Sequence, residues 1–176
     1  MAGHNKWSKI KRQKAGTDAQ KSKIFGKMVR FITVEAKKSG GNLNSPSLKA
    51  AIEKARASNM PNDTIDRAIK KATTDNSAAM ESITYEAYGP GGSALIIEAL
   101  TDNRNKAAQE IKHILSLSGF ALAAPGSASW AFARQGQEWV PQTTVEISED
   151  DATLLGTLIE QLEENDEVQG VYTNAD

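Results

Sequence analysis

The sequence predicts an α+β protein in two parts, a basic three-helix bundle followed by an acidic sandwich with a mainly antiparallel sheet. The first observation behind this prediction is the charge: residues 1–71 contain 17 Lys and Arg against 5 Asp and Glu, whereas residues 72–176 contain 4 against 17. The second is the spacing of apolar residues, which is helical in the basic half and changes to strand-like runs between helical segments in the acidic half. Charge asymmetry between two halves of a chain indicates a nucleic-acid or membrane partner.

Three helices are predicted in the basic half. The first covers residues 17–38, where apolar side chains recur at every fourth position from Ile24. The second opens at Pro46 and the third at Pro61, because proline is favoured in the first turn of a helix. Short connections between helices favour packing as a bundle. We assign residues 1–75 to this domain with its N-terminal arm, and the small polar stretch 76–82 to a linker.

Residues 83–176 are predicted to form the α+β domain. An apolar strand over 93–100 follows a Gly-rich turn from a partner strand over 83–88. Helices are expected over 103–118, capped by Asp102, and from Ser148 onward. Further strands are expected over 120–123, 127–133, 143–147 and 168–173. Strands separated by two helices of this length predict a ferredoxin-like type of sandwich, with both helices on one face of the sheet.

The pattern with the clearest functional meaning is the basic arm and its continuation onto the first helix. Its cations can contact phosphates, and Trp7 offers a ring on which a base can stack. The predicted nucleic-acid contacts are Lys6, Trp7, Lys9, Lys11, Arg12, Lys14, Lys21, Lys23, Lys27 and Arg30. A solvated, flexible terminus is the alternative interpretation. The pattern does not distinguish DNA from RNA, because phosphate contacts carry no sequence information.

A weaker pattern suggests partner contacts on the acidic half. Tyr88 precedes a Gly-Pro-Gly-Gly turn, and Asp102, Asn103 and Arg104 lie between a buried strand and a helix. Asp102 alone would satisfy the capping of that helix. Arg104 is unusual there, because a cation at a helix start opposes the helix dipole.

Composition argues against most enzyme classes. The chain has no cysteine and two histidines, too few for the common zinc ligand sets or for a cysteine nucleophile. The turn at 88–92 lacks the Gly-Lys-[Ser/Thr] ending of a nucleotide-binding loop, so we interpret it as a strand-to-strand turn. We expect no enzyme activity, cofactor, metal, small-molecule substrate or membrane span. The expected location is the cytoplasm, although a basic start poor in acids is also typical of a mitochondrial presequence.

Several blocks, in order along the chain, resemble the YebC/PmpR family. They are Gly3-His4-Asn5-Lys6-Trp7-Ser8-Lys9-Ile10-Lys11, Lys23-Ile24-Phe25, Asn59-Met60-Pro61, Tyr88-Gly89-Pro90-Gly91-Gly92, Glu98-Ala99-Leu100-Thr101-Asp102-Asn103-Arg104-Asn105 and residues 165–176. The resemblance implies a transcriptional regulator that binds DNA. Mitochondrial relatives are translational activators, and some bacterial members are thought to help ribosomes through proline-rich stretches. It implies no enzyme.

The chain departs from the family pattern at one place. Members typically have a third domain inserted into the second, whereas here residues 129–134 are followed almost at once by 142–147. We therefore expect a short form that lacks the insert near 135–141. Asn5 and Gln13 also differ from the residues common in the family's arm.

Together these observations predict a non-enzymatic, nucleic-acid-binding regulator of gene expression, in the form of a DNA-binding transcriptional regulatory protein. A ribosome- or RNA-associated translation factor is the first alternative. A protein adaptor, in which the oppositely charged halves pair within or between chains, is the second.

Overall fold

The described part of the chain folds into five α-helices and six β-strands. The structure is a computed structural model and describes residues 18–76 and 79–176, with side chains from residue 21 onward. The helices are α1 (Asp18–Lys38), α2 (Pro46–Ala57), α3 (Asn62–Thr74), α4 (Arg104–Leu117) and α5 (Glu149–Glu164). The strands are β1 (Glu81–Tyr88), β2 (Ala94–Thr101), β3 (Leu122–Ala123), β4 (Phe132–Gln135), β5 (Glu138–Pro141) and β6 (Val168–Thr173). Single 3₁₀ turns cover Pro90–Gly92 and Ser129–Ala131.

Helices α1, α2 and α3 form the predicted bundle. Their shared core contains Ile32 of α1, Leu48 and Ala55 of α2, and Ile65 of α3, each at most 1% exposed. Pro46 lies in the first turn of α2, where its missing N–H would have had no helical partner. Asn59, in the turn between α2 and α3, has a φ of +61°, a conformation that asparagine tolerates better than most residues. Helix α1 lies within one residue of the predicted range 17–38, and α2 and α3 begin within one residue of their predicted starts at Pro46 and Pro61.

The second half contains a four-stranded antiparallel sheet in the order β3-β1-β2-β6. The β1–β2 hairpin lies at its centre. On one face, Leu95 and Ile97 of β2 pack with Ile111 of α4 and Leu158 of α5, and all four are fully buried. The predicted α+β class, the mainly antiparallel sheet and the two helices on one face are therefore confirmed.

The opposite face of the sheet carries a third layer that the sequence did not predict. Ala94 and Ile96 of β2 point there and pack against Ala131 and Phe132, with Trp139 beside them. These covering residues come from the second 3₁₀ turn and from the antiparallel β4–β5 hairpin. Both faces of β2 are thus covered, which explains why its eight residues are almost all apolar and buried.

Two of the predicted strands are wrong. Residues 127–133 were expected as a strand, but the strand begins only at Phe132, because the Glu86 carboxylate takes the backbone N–H groups of Gly126, Ala128 and Ser129. Residues 143–147 were also expected as a strand. Only Val145 forms a bridge there, parallel to Ala175 at the C-terminus.

Candidate nucleic-acid interface

The bundle exposes cations that have no carboxylate partner. Within the described ranges no ion pair involves Lys21, Lys23, Lys49, Lys54, Lys70 or Lys71, and each of these side chains is exposed. The other basic side chains of α2 and α3 bind neutral oxygens: Arg56 donates to the Asn62 side chain and Arg67 to the Asp63 carbonyl. Glu35, an acid of this domain, is only 7% exposed and is paired with Lys38. The bundle surface is therefore strongly positive.

Two of the predicted contacts, Lys27 and Arg30, have a different environment. They lie on the face of α1 that turns toward the α+β domain. Lys27 Nζ donates a hydrogen bond to the Glu163 carbonyl oxygen in the last turn of α5, and Arg30 Nη1 donates to the Leu100 carbonyl oxygen at 3.4 Å. A cation at a helix C-terminus satisfies a carbonyl that has no partner within the helix and complements the helix dipole. These two hydrogen bonds to backbone carbonyl oxygens therefore connect α1 to the α+β domain.

A polar concavity of about 290 Å³ lies between α1 and the end of α5. It is lined by Ser22, Lys23, Gly26, Lys27, Arg30 and Asp166. The three cations were predicted from the sequence. The sequence did not predict the other three residues, Ser22, Gly26 and Asp166. Gly26 carried a usable signal, because a glycine in the middle of a helical pattern costs about 1 kcal/mol relative to alanine and usually has a packing or functional reason.

A second concavity, of about 420 Å³, lies at the other side of α1. It is lined by Lys21, Ile24, Phe25, Ser58 and Asn59. Ile24 is 38% exposed, so the predicted apolar stripe of α1 is only partly covered at this end. Lys21 and Lys23 thus line two different concavities, on different faces of the same helix.

The arm residues of the predicted interface lie outside the described residues. They are Lys6, Trp7, Lys9, Lys11, Arg12 and Lys14. Of the predicted contacts, the structure places Lys21, Lys23, Lys27 and Arg30 on α1, and brings the last three to one concavity.

Tyr88, a predicted partner contact, belongs to a fixed aromatic pair at the end of β1. Its hydroxyl donates to the Ser127 carbonyl oxygen and accepts from Trp130 Nε1 at 3.0 Å. Trp130, which the sequence did not single out, is 59% exposed. The turn that follows Tyr88 is a strand-to-strand turn, as predicted, and Gly91 has a φ of +67° there.

The loop below Trp130 is anchored by a buried carboxylate. Glu86, 8% exposed, accepts hydrogen bonds of 2.7–2.8 Å from the backbone N–H groups of Gly126, Ala128 and Ser129. Burial raises the pKa of Glu86, but these N–H donors stabilise the carboxylate more strongly, so its pKa lies below the ordinary value. The loop that carries the exposed indole of Trp130 is therefore anchored by three hydrogen bonds to a buried carboxylate.

The remaining predicted contacts, Asp102, Asn103 and Arg104, have structural partners. The prediction that Asp102 caps α4 is wrong: the cap is Asn103, whose Oδ1 accepts from the Lys106 backbone N–H at 3.1 Å. Thr101 causes the shift of one residue, because its buried hydroxyl bonds both the N–H and the carbonyl of Asn103. Asp102 itself is exposed. Arg104 pairs with Glu81 at 3.7 Å across exposed surface, which accounts for a cation at this helix start.

The β4–β5 hairpin is tied to the sheet by one carboxylate. Glu98 Oε1 accepts from Thr84 Oγ1 at 3.0 Å, Arg134 Nη1 at 2.9 Å and Trp139 Nε1 at 2.6 Å. Arg134 also stacks over the Trp139 ring, 4.9 Å from its centroid. The hairpin occupies the place where we expected the family's insert to be missing.

The described residues contain neither a metal-binding cluster nor a membrane-spanning helix. Among them, no group of three or more His, Asp or Glu side chains is arranged to hold a metal ion. The helices that the structure describes are all too short or too polar to cross a membrane.

The fold and its surface define a class of two-part protein: a positively charged helical bundle, with exposed lysines that have no ion-pair partner among the described residues, is joined to an α+β sandwich. Residues 5–75 match the TACO1/YebC protein N-terminal domain, and residues 80–138 and 137–175 match the TACO1/YebC second and third domain. The chain belongs to this family, which confirms the resemblance found in the sequence. The second match is divided at residues 137 and 138, where the turn after β4 meets the first residue of β5.

Individual relatives agree with this assignment. The chain is 49% identical over 171 residues to a "Probable transcriptional regulatory protein" of Chlorobaculum parvum, covering 95% of this chain and 67% of the relative. It is 50% identical over 173 residues to a protein of the same description from Fervidobacterium nodosum, covering 96% and 68%. The chain thus spans about two thirds of the length of these curated relatives.

A solved structure is also similar. The crystal structure of the conserved hypothetical protein Aq1575 from Aquifex aeolicus superimposes with a TM-score of 0.84 at 30% identity. The alignment covers 97% of this chain and 96% of that one.

Proposed function

We propose that this protein is a non-enzymatic regulator of gene expression that binds nucleic acid through its helical bundle, as a DNA-binding transcriptional regulatory protein. The observation that carries the proposal is the exposed set of lysines on α1, α2 and α3 that have no ion-pair partner among the described residues. Each such cation can neutralise a phosphate and release condensed counterions. The names of the curated relatives support the regulatory role.

The domain organisation is part of the same proposal. The bundle and its arm bind the nucleic acid, and the α+β domain supports it without chemistry of its own. We propose that the β4–β5 hairpin bridges the position at which the family's third domain would be inserted, since the match to the second and third domain divides at that turn. The hairpin's apolar side then completes the core of the second domain.

The test is a salt titration of binding to a short fluorescent DNA duplex. We expect log K to fall linearly with log salt, with a slope of about −0.9 for each neutralised phosphate. The variant Lys49→Ala/Lys54→Ala removes two unpaired cations of α2 and is expected to reduce the steepness of that slope. Lys112→Ala is the matched control, because Lys112 is an exposed lysine on α4 of the other domain. Binding that does not respond to salt, or equal slopes for both variants, contradicts the proposal.

A second measurement tests the alternative, a ribosome- or RNA-associated role. Sedimentation of the full chain with ribosomes through a gradient, before and after the same two-lysine substitution, separates the two roles. Comigration that is lost on substitution would assign the bundle to a ribosome-associated translation factor. Absence of comigration together with salt-dependent duplex binding supports the DNA-binding role.

A further inference from the structure

We infer that the concavity of about 420 Å³ between α1 and the turn that joins α2 to α3 binds one unstacked base of the nucleic acid. This inference rests on the proposed function and deepens it, because it names a part of the ligand that a phosphate-binding surface does not contact. A base has an apolar face and a polar edge. The concavity offers a counterpart to each, namely two apolar side chains and a polar rim.

The apolar side of the concavity is formed by Ile24 and Phe25 of α1. Both belong to the apolar stripe of this helix, yet Ile24 is 38% exposed and Phe25 is only half-buried against the bundle core. The described residues of α2 and α3 therefore leave part of the stripe uncovered. An aromatic side chain at such a place can stack with a base of any sequence, because every base has a π-face.

The polar rim contains Asn59, whose backbone lies in the left-handed region with a φ of +61°. Glycine adopts this conformation at the least cost, so the turn itself does not require the asparagine side chain. That side chain is exposed and forms no hydrogen bond with another described residue. Its amide is therefore available, and amides of this kind pair with the edges of bases.

The backbone of the same turn adds acceptors. Pro61 has no N–H group, and no described residue donates a hydrogen bond to the carbonyl oxygens of Ser58 or Asn59. The carbonyl end of a helix carries partial negative charge, so this end of α2 favours N–H donors over phosphate oxygens. The amino groups of bases are such donors. The rim therefore suits the edge of a base better than it suits a phosphate.

Lys21 is the charged residue of the concavity. It is exposed and has no ion-pair partner among the described residues. Its ammonium group can bind the phosphate next to the base. A second copy of this chain that covered the concavity would have to bury this ammonium group, which is costly unless it is paired, whereas a nucleotide supplies the neutralising charge. Charge therefore favours a nucleotide as the occupant.

The experiment compares two single strands with the same number of phosphates, one with all its bases and one with abasic residues at its centre. Affinities of the full chain are measured by fluorescence anisotropy, with DNA and with RNA strands. We expect the parent to bind the complete strand about fifteenfold more tightly. This preference combines about fivefold for stacking of one base on an aromatic ring and about threefold for one hydrogen bond.

Two variants remove the base contacts without changing the charge. Phe25→Leu keeps an apolar side chain but loses the ring, and we expect it to lower the preference about fivefold. Phe31→Leu, at another half-buried position of α1, is its matched control. Asn59→Gly removes the amide and is expected to lower the preference about threefold. Asn44→Gly, in the turn between α1 and α2, is its matched control.

The remaining variant tests the role of the cation. Lys21→Ala should weaken binding of the complete and the abasic strand by the same factor, because both strands carry the phosphate. Lys112→Ala, on α4 of the other domain, is its control. Glycine suits the backbone at position 59, so Asn59→Gly decides the matter if Phe25→Leu proves not to fold by circular dichroism.

The outcomes separate the base site from the proposed function. If the parent chain binds neither strand and no DNA duplex, both fail. If it binds the complete and abasic strands equally, or if Phe25→Leu and Asn59→Gly keep its preference, the base site is overturned while the proposed function stands. If these variants change the sedimentation coefficient instead, a second copy covers the concavity, and the base site is again overturned. A preference that the variants lose with only DNA or only RNA supports the site and identifies the natural ligand.

Discussion

The two halves of the molecule use their charged side chains in opposite ways. In the bundle, Lys49 and Lys54 are exposed and have no ion-pair partner among the described residues. In the α+β domain, Glu86 and Glu98 are bound by three donors each, and Glu167 is buried beside Lys106. The difference shows that the net charge of a domain does not indicate how many of its charged side chains are available to bind a partner. Charges that already hold the fold together are occupied, whereas unpaired ones remain available to a partner.

The largest effect expected from this comparison is the loss of Glu86. In Glu86→Ala the N–H groups of Gly126, Ala128 and Ser129 lose their acceptor, and we expect the free energy of unfolding to fall by roughly 3 kcal/mol. Urea denaturation at neutral pH measures it. Glu86→Gln keeps one acceptor oxygen but turns an NH₂ group toward an N–H donor, so an intermediate loss is expected. A loss below 1 kcal/mol for alanine would show that the loop does not depend on this carboxylate.

Removal of Glu98 should cost less, because its donors lie nearer to the surface. Glu98→Ala leaves Arg134 and the Trp139 indole without their common acceptor, and we expect a loss of roughly 1–2 kcal/mol. The emission of Trp139, in a background with Trp7 and Trp130 changed to Phe, should move to longer wavelength as the hairpin loosens. Thr84→Val, which removes the third donor alone, is the control and should leave the emission of Trp139 unchanged.

The pH dependence gives a smaller effect with a definite sign. The pKa of Glu86 is lower in the folded state than its ordinary value of 4.5. Its stabilising contribution is therefore complete above about pH 4.5 and is lost as the pH falls through the folded-state pKa. The effect is smaller than that of deletion, since a protonated carboxyl still offers an acceptor oxygen. Denaturation at a series of pH values should show a shallower acid loss in Glu86→Gln than in the parent. Parallel curves would contradict the assignment.

The sequence predicts the parts of the fold that depend on local patterns and misses those that depend on contacts between distant residues. Helix bounds, the central hairpin and the basic face of α1 were predictable, because apolar spacing and charge are local properties. The layer formed by the β4–β5 hairpin was missed because its contacts depend on Glu86 and Glu98, which bind residues about 40 positions away. The cap of α4 was misplaced by one residue because a buried threonine, and not the helix sequence, fixes it.

The same distinction holds for the candidate site. Lys23, Lys27 and Arg30 could be selected by charge alone. That two of them contact carbonyl oxygens of the second domain, and that Asp166 lies beside them, depends on how the two domains pack. No pattern along the chain contains that information.

A smaller, stabilising effect is expected at Gly26. Gly26→Ala should raise the free energy of unfolding by about 0.5–1 kcal/mol, because alanine is the better helix former and its Cβ meets no described atom outside the helix backbone. Urea denaturation measures the change. Gly41→Ala is the contrasting variant: it has a φ of +77°, and its Cβ would lie 2.7 Å from Thr73 Cγ2. It should destabilise the bundle. If alanine destabilises at both positions, glycine 26 has a structural role in α1.

The smallest effect on stability tests the comparison most directly. Lys49→Ala/Lys54→Ala should change the free energy of unfolding by no more than about 0.5 kcal/mol, since exposed cations without partners contribute little to the fold. Lys106→Ala in the other domain should cost more, because Glu167 raises the pKa of Lys106 and is itself only 4% exposed, so its buried carboxylate would lose a cation. Thermal unfolding of the two variants, side by side at low salt, makes the measurement. If the bundle variant proves the less stable of the two, its lysines stabilise the fold and are not reserved for a partner.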